Sequence, residues 1–261
     1  SSDVCSSDLI ASASLPIFQL DKLDDKLYLD GFLSDNTPVG LLANKKYDDI
    51  IVLRLSNDVT GDKNLKKYVD INLTVIKPSM DLGGSLNKDK DHMEKLFKLG
   101  YMDVMKTYKR YDGVKYFFNA DFIYDENTCF DMITNLNIKT IQEICKILKI
   151  KREPSLRVLL ENIIPQIGDI LHLEKEFTYK DIFYSIYERI LEENNIDVLK
   201  LYDFSKVIDL VNSQIEPIDY DYDNNDNKHI ISLNKKEKIE KAIINKILND
   251  FKNQSLKKMP I

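Results

Sequence analysis

The sequence predicts an α/β region from Ile10 to about residue 110, followed by an all-α region from there to Ile261. Three observations lead to this division. Between Ile10 and Ile76 the text reads as short β-like runs, Lys26–Leu29, Ile50–Leu55 and Val69–Ile76, separated by turn chemistry and by helical or loop segments. The run Ile50-Ile51-Val52-Leu53 is continuously apolar and largely β-branched, the pattern of a strand buried on both faces of a sheet. From Asp91 onward the period changes: Met93, Leu96, Phe97, Gly100, Tyr101, Val104 and Tyr108 fall at helical spacing.

The opening residues stand apart from this pattern. Ser1 to Leu9 carry neither an apolar period nor a cap leading into an element. Back-translated with one permitted codon choice, AGT TCA GAC GTG TGC TCT TCC GAT CT, they match the end of a widely used sequencing adapter in frame. Residues 1–9 are therefore expected to be a sequencing-adapter artefact, excluded from fold reasoning. The natural start is expected to lie before Ile10, with the α/β region truncated at its N-terminus.

The segment Leu41–Tyr47, between an Asn-Thr-Pro turn and the Ile50 run, suits a short crossover helix. Further on, Thr140-Ile-Gln-Glu143 and Thr178-Tyr-Lys-Asp181 read as capping boxes, placing helix starts near 140 and 178. Behind the first, Ile141, Ile144, Cys145 and Leu148 share one face; behind the second, Ile182, Phe183, Ile186, Tyr187, Ile190 and Leu191 do. Pro154 and Pro165 punctuate a stripe of Leu156, Leu159, Leu160 and Ile163, and Val198–Val211 is read as another helix. Residues 216–228, acidic and asparagine-rich, read as a solvated linker before a Lys-rich helix from Lys235 to about Asn253.

Composition narrows the function classes. With 43% hydrophobic and 31% charged residues the balance is that of a folded globular protein. A net charge of −6 argues against a nucleic-acid partner, whose footprint would be basic. Setting Cys5 aside, only Cys129 and Cys145 remain, both among helix-like apolar residues, so a disulfide framework is not expected and a reduced, cytoplasmic setting fits best. No apolar run is long enough to span a bilayer, so membrane contact is expected to be peripheral. Around Ile239, Ala242, Ile243 and Ile247 the last helix carries Lys235, Lys236, Lys238, Lys241 and Lys246, a pattern that suits an anionic bilayer or an ordinary surface helix. Asp219-Tyr-Asp-Tyr-Asp223 alternates carboxylates like a calcium loop, yet Asn224 stands where the loop needs Gly and Ile230 where it needs Glu. No metal site is expected there.

Chemistry concentrates near the start. Ala11-Ser-Ala-Ser-Leu-Pro-Ile-Phe18 is followed, after a short gap, by Leu27-Tyr-Leu-Asp-Gly-Phe-Leu-Ser-Asp-Asn-Thr-Pro-Val39. This resembles the patatin-like phospholipase family, in which a small-residue helix ending Ala/Ser-x-x-Pro-x-x-Phe leads to Tyr-x-Asp-Gly-(Gly or Ala) and an Asn-x-Pro turn. Pro78-Ser-Met-Asp-Leu-Gly83 and Leu99-Gly-Tyr-Met-Asp103 are similar to later segments of that family. The resemblance runs from Ile10 to roughly Lys106 and does not reach the remaining helices.

The resemblance implies an α/β/α serine hydrolase that cleaves lipid or phospholipid acyl esters without metal or organic cofactor. Asp30 matches the Asp that pairs directly with a Ser on a Gly-x-Ser-x-Gly elbow. A serine hydroxyl needs a base within hydrogen-bond reach to be nucleophilic near neutral pH, and His92, His172 and His229 lie in no matching motif. Gly31 would permit the turn presenting Asp30; Asp35, Asn36 and Pro38 would brace the following loop. Phe32 departs from the family, which has Gly or Ala there, and would narrow the pocket or tilt Asp30. As an isolated dipeptide, Asp-Gly reads as a plain hairpin turn; the flanking motifs favour the catalytic reading. No Gly-x-Ser-x-Gly occurs in the 261 residues, and Gly83-Gly-Ser85 reads as loop. The chain by itself is therefore expected to lack nucleophile and oxyanion hole. Two other readings stay open: a non-catalytic relative whose helices bind a partner, and a helical half that acts as a lid.

Overall fold

A computed structural model describes residues 10–12, 14, 22, 25–31, 35, 37–55, 65, 67–83, 89–120, 122–214 and 232–258. The chain divides into two compact units, residues 1–85 and 86–261. Its content is mixed, helices with small sheets.

In the first unit a short helix, α1 (Val39–Ala43), precedes two parallel strands, β1 (Asp49–Leu53) and β2 (Asn72–Ile76). Parallel strands cannot be joined by a tight turn, and residues 54–71 make the connection, contributing Leu65 and Tyr68 to the core. The register runs from Asp49 opposite Asn72 to Leu53 opposite Ile76. It is pinned at the start by the Asn72 amide donating to Asp49 Oδ1 at 2.6 Å. Ile50 and Val52 point into a core with Val39 and Leu65. Ile51 and Leu53 are 57% and 70% exposed, so β1 is buried on one face, not on two as its composition predicts. Among the described residues nothing covers the second face. Lys26–Leu29, predicted as a strand, makes one isolated bridge at Lys26 and has otherwise no regular structure; no described strand runs beside it.

The second unit begins with α2 (Lys90–Thr107), capped by Asp89, whose side chain accepts the His92 N–H. There follow β3 (Tyr111–Asp112), β4 (Phe117–Asn119), a 3-10 turn at Phe122–Tyr124, α3 (Glu126–Thr134) and α4 (Ile138–Ile147). Residues 156–170, here α5, combine Leu156–Val158, a π turn at Leu159–Ile163 and Ile164–Ile170. Then come α6 (Tyr179–Glu193), β5 (Leu201–Tyr202), α7 (Phe204–Gln214) and α8 (Ser232–Lys258). β4 pairs antiparallel with β3 and parallel with β5. The region from residue 111 is thus not all-α as predicted: Phe117 and Phe118 are fully buried in a strand whose pairing depends on Leu201 and Tyr202, far along the chain.

Most helix starts follow local chemistry. Thr178 and Asp181 form the reciprocal capping box the sequence predicts. The box at Thr140 does not form: α4 starts earlier, at Ile138, where Asn137 Oδ1 accepts the Lys139 N–H at 3.0 Å and makes the better cap. Pro165 does not break α5. The π turn ahead of it absorbs the missing N–H, and the Gln166 amide donates to the Asn162 carbonyl at 3.0 Å. α7 begins six residues later than predicted from Val198, since Leu201 and Tyr202 are taken by the sheet.

The core is aromatic and centred on α6. Phe204 lies within 5.2 Å, centroid to centroid, of Phe118, Tyr124, Tyr184 and Tyr187. Edge-to-face pairs of this kind add to the burial they share. α8 runs through this core: Ala242, Ile243, Ile247, Leu248 and Phe251 are buried. Its apolar face is therefore occupied, and it is not the surface helix its Lys content predicts. Lys246 and Lys241 pair with Glu143 and Glu193 at 2.6 and 2.9 Å, so part of the basic face fastens α8 to α4 and α6. Cys129 and Cys145 are buried free thiols, and burial pushes Cys129 up to about 12.

Candidate functional site

Asp30 follows Tyr28 and Leu29 in a stretch without regular structure and is half-buried. Its N–H donates to the Ser14 carbonyl at 2.9 Å. Ser14 in turn closes the helical residues 10–12, its N–H donating to Ala11 at 3.3 Å and its hydroxyl to the Ile10 carbonyl at 2.7 Å. The small-residue helix end and the Asp30 loop are thereby joined backbone to backbone. A serine bonded back to its own helix terminates it cheaply.

Past Asp30 the chain turns at once. The Gly31 carbonyl accepts the Asp35 N–H at 2.9 Å, and Asp35 Oδ1 accepts the Thr37 N–H at 3.2 Å, an Asx turn of the bracing kind the sequence predicts. Pro38 occupies the N-cap of α1 with φ −78°. Gly31 differs from expectation. It is not among the positive-φ residues and a Cβ there would meet nothing within 4 Å, so this turn does not require glycine. Phe32 and Asn36 lie outside the described residues, as do Ser85, His229 and residues 216–228. Of the other histidines, His172 ends α5 in the left-handed region at φ 55°, and His92 sits in the first turn of α2. No helix among the described residues is long and apolar enough to cross a membrane. No described cluster of His, Cys, Asp or Glu could hold a metal ion.

A second concentration of charge, absent from the sequence reading, lies inside residues 86–261. Glu188 projects from α6 into the interior and is 3% exposed. Its carboxylate accepts three backbone N–H groups from the β3–β4 loop: Val114 at 2.7 Å, Lys115 at 2.9 Å and Tyr116 at 3.2 Å. The carbonyls of that same loop are taken from the other side. Lys106 Nζ donates to Val114 at 2.8 Å and Tyr116 at 3.1 Å, and rests 4.1 Å from the Phe117 ring centroid. Burial pushes the Glu188 carboxyl up, against the N–H bonds and Lys106 that pull it down; burial likewise pushes the Lys106 amine down. Gly113, at φ 99°, makes the turn possible, since a Cβ would lie 2.5 Å from the Tyr116 carbonyl and 2.9 Å from Glu188 Oε1.

Beside this clamp is an open pocket of about 130 Å3 whose lining includes Lys106, Lys109, Asp112, Lys180 and Tyr184. Lys180 pairs with Asp112 at 2.7 Å. Lys106 has its donors committed to two carbonyls and its remaining face to an aromatic ring, so it is placed to hold the loop rather than to react. Only one signal in the sequence marks this cluster: Glu188 directly follows the apolar Tyr187 and lies four residues after Tyr184 on the helix face that must be buried. Its partners come from another element and leave no local trace.

Compared with protein-family models, with curated proteins and with solved structures, the chain matches none.

Proposed function

We propose that this chain is part of a patatin-like lipid acyl hydrolase in which Asp30 is the base of a Ser-Asp dyad. The observation that carries the reading is the run Tyr28-Leu-Asp-Gly31 preceded by Ala11-Ser-Ala-Ser14, the two held together by the Asp30 N–H on the Ser14 carbonyl. The parallel β1–β2 pair is compatible with an α/β/α hydrolase sheet. The substrate class is a glycerolipid or phospholipid acyl ester, and no metal or organic cofactor enters the reaction. Contact with the lipid phase is peripheral.

The chemistry divides between two parts of the protein. Asp30 takes the serine proton as the hydroxyl attacks the ester carbonyl, then returns it to the leaving alcohol; water repeats the cycle on the acyl-serine. The serine must come from a Gly-x-Ser-x-Gly segment outside residues 1–261, because none occurs within them. Two experiments test this. Residues 1–261 alone are expected to leave a short-chain chromogenic ester unhydrolysed, and turnover that disappears in Asp30→Ala would contradict the assignment. The chain joined to the polypeptide encoded upstream is expected to react with a fluorophosphonate probe at one serine. Failure to label any serine would favour the non-catalytic reading.

A further inference from the structure

The clamp on the β3–β4 loop is built unlike the carboxylate caps of the helices. Asp89, Asp125 and Glu126 accept N–H groups at the starts of α2, α3 and α6, where a helix leaves donors open by construction. Residues 114–116 belong to no helix, yet three consecutive N–H groups converge on the two oxygens of Glu188. Val114 and Tyr116 donate to Oε1, and Lys115 donates to Oε2. Successive N–H groups turned to one side form a concavity that binds anions, and the left-handed Gly113 sets up the turn.

The selection lies in these donors and not in net charge. Lys106 brings positive charge to the loop, but Asp103, Asp112 and Asp181 act on it as well as Glu188. Its ammonium is held by the Val114 and Tyr116 carbonyls, and the Lys115 ammonium is turned to Glu192. What the loop offers Glu188 is therefore backbone N–H. Such bonds are strong when the acceptor is charged and costly to leave unmade in a buried place. All three go to the carboxylate group, which α6 delivers. Gly113 stands beside that group, where a Cβ would lie 2.9 Å from Oε1, and it also lines the open pocket of about 130 Å3. The pocket is the approach from solvent.

We propose that residues 113–116 form a carboxylate-binding site whose ligand in this protein is its own Glu188, so that a free small carboxylate occupies the site once that side chain is cut back. The loop then takes its shape from a bound anion more than from β3 and β4, which pair at two positions only. Nothing in this depends on the hydrolase reading.

The test is chemical rescue of Glu188→Ala in the 261-residue chain at neutral pH, read by amide exchange at Val114, Lys115 and Tyr116. Sodium acetate is compared with sodium chloride at equal pH and ionic strength. In chloride, exchange at the three amides is expected to be at least about tenfold faster in Glu188→Ala than in the unaltered chain, the scale of one lost buried hydrogen bond. Acetate at about ten times its dissociation constant is expected to slow it again by about tenfold, following 1 + [L]/Kd. The unaltered chain and Glu188→Gln, whose side chain fills the space, are expected to show no acetate effect. Benzoate, broader than the side chain removed, is expected to give no protection. If Glu188→Ala is unfolded in chloride, acetate is expected to restore its helical circular dichroism, and a chain that acetate leaves unfolded overturns the proposal. So does a folded Glu188→Ala chain whose three amides exchange as slowly as before, which assigns the loop to Lys106 and Gly113. Acetate protection no greater than that of chloride or benzoate, or equal in Glu188→Gln, overturns it as well.

Discussion

Residues 86–261 close a core within themselves, whereas the described residues of 10–85, which hold the proposed site, bury only a small cluster around Val39, Ile50, Val52 and Leu65. In the helical unit α6 is enclosed by α3, α7, α8 and the small sheet, and its aromatic rings touch one another throughout. In the first unit a two-stranded sheet buries Ile50 and Val52 and leaves Ile51 and Leu53 in solvent. The contrast teaches that motif and stability have different origins. A motif is a short run of residue types, legible wherever it stands; a core needs partners, and strands need neighbours on both edges and faces.

The largest expected effect separates the two regions outright. Residues 86–261 expressed alone should give a helical circular dichroism spectrum and a cooperative melt, while residues 10–85 alone should give no cooperative transition. A sharp melt from the smaller piece would break the comparison.

Within the larger unit the sharpest loss should come from Glu188→Ala. It strands three buried N–H groups and removes the strongest of several carboxylate charges acting on Lys106, a change of about 3–5 kcal/mol in denaturant unfolding; a loss below about 1 kcal/mol, the scale of exposed pairs, would show that the clamp is decorative. Its ionisation should also be visible. A carboxyl whose folded pKa lies above its unfolded value binds more protons in the folded state, so its contribution is greatest below the unfolded value and is lost as pH rises through the folded one. Glu188→Gln removes that titration and should flatten this descending limb of stability against pH; an unchanged slope would assign it to other groups.

Gly113→Ala should cost about 2 kcal/mol, from a left-handed backbone and a Cβ forced against a carbonyl. Thr178→Ala should cost about 1 kcal/mol by opening the capping box of α6. If both substitutions proved neutral by thermal melting, the loop and the cap would not be holding α6 in place.

How much of this was legible in sequence follows the range of the interactions. Thr178 and Asp181 meet across one turn of helix, and the sequence marks their box; Ile182, Phe183, Ile186 and Tyr187 are buried as their period predicts. Asn137 outcompetes Thr140 as a cap because both are locally plausible and only packing decides. Long-range features were hidden. Leu201 and Tyr202 read as part of a helix until Phe117 and Phe118 claim them as a strand, and α2 shows an apolar stripe whose buried side cannot be told from its exposed one by period alone. At the candidate site, the Asx turn at Asp35 was foreseen, whereas the need for glycine at position 31 was not met. The Glu188 clamp joins residues more than seventy positions apart and had no local signature.

The proposed assignment of Asp30 is tested most directly by ester hydrolysis of a chain that also carries the proposed Gly-x-Ser-x-Gly segment, compared across Asp30→Asn, Asp35→Asn, His92→Ala, His172→Ala and His229→Ala, with melting temperature as control. Asp30→Asn keeps size and polarity and removes the proton acceptor; it should cost roughly 10²- to 10⁴-fold in kcat with the fold intact, while the histidine variants stay near wild type and Asp35→Asn acts through loop order. An Asp30→Asn enzyme within about threefold of wild type, far inside the range of a spectator, together with loss of activity at any of the three histidines, would contradict the dyad.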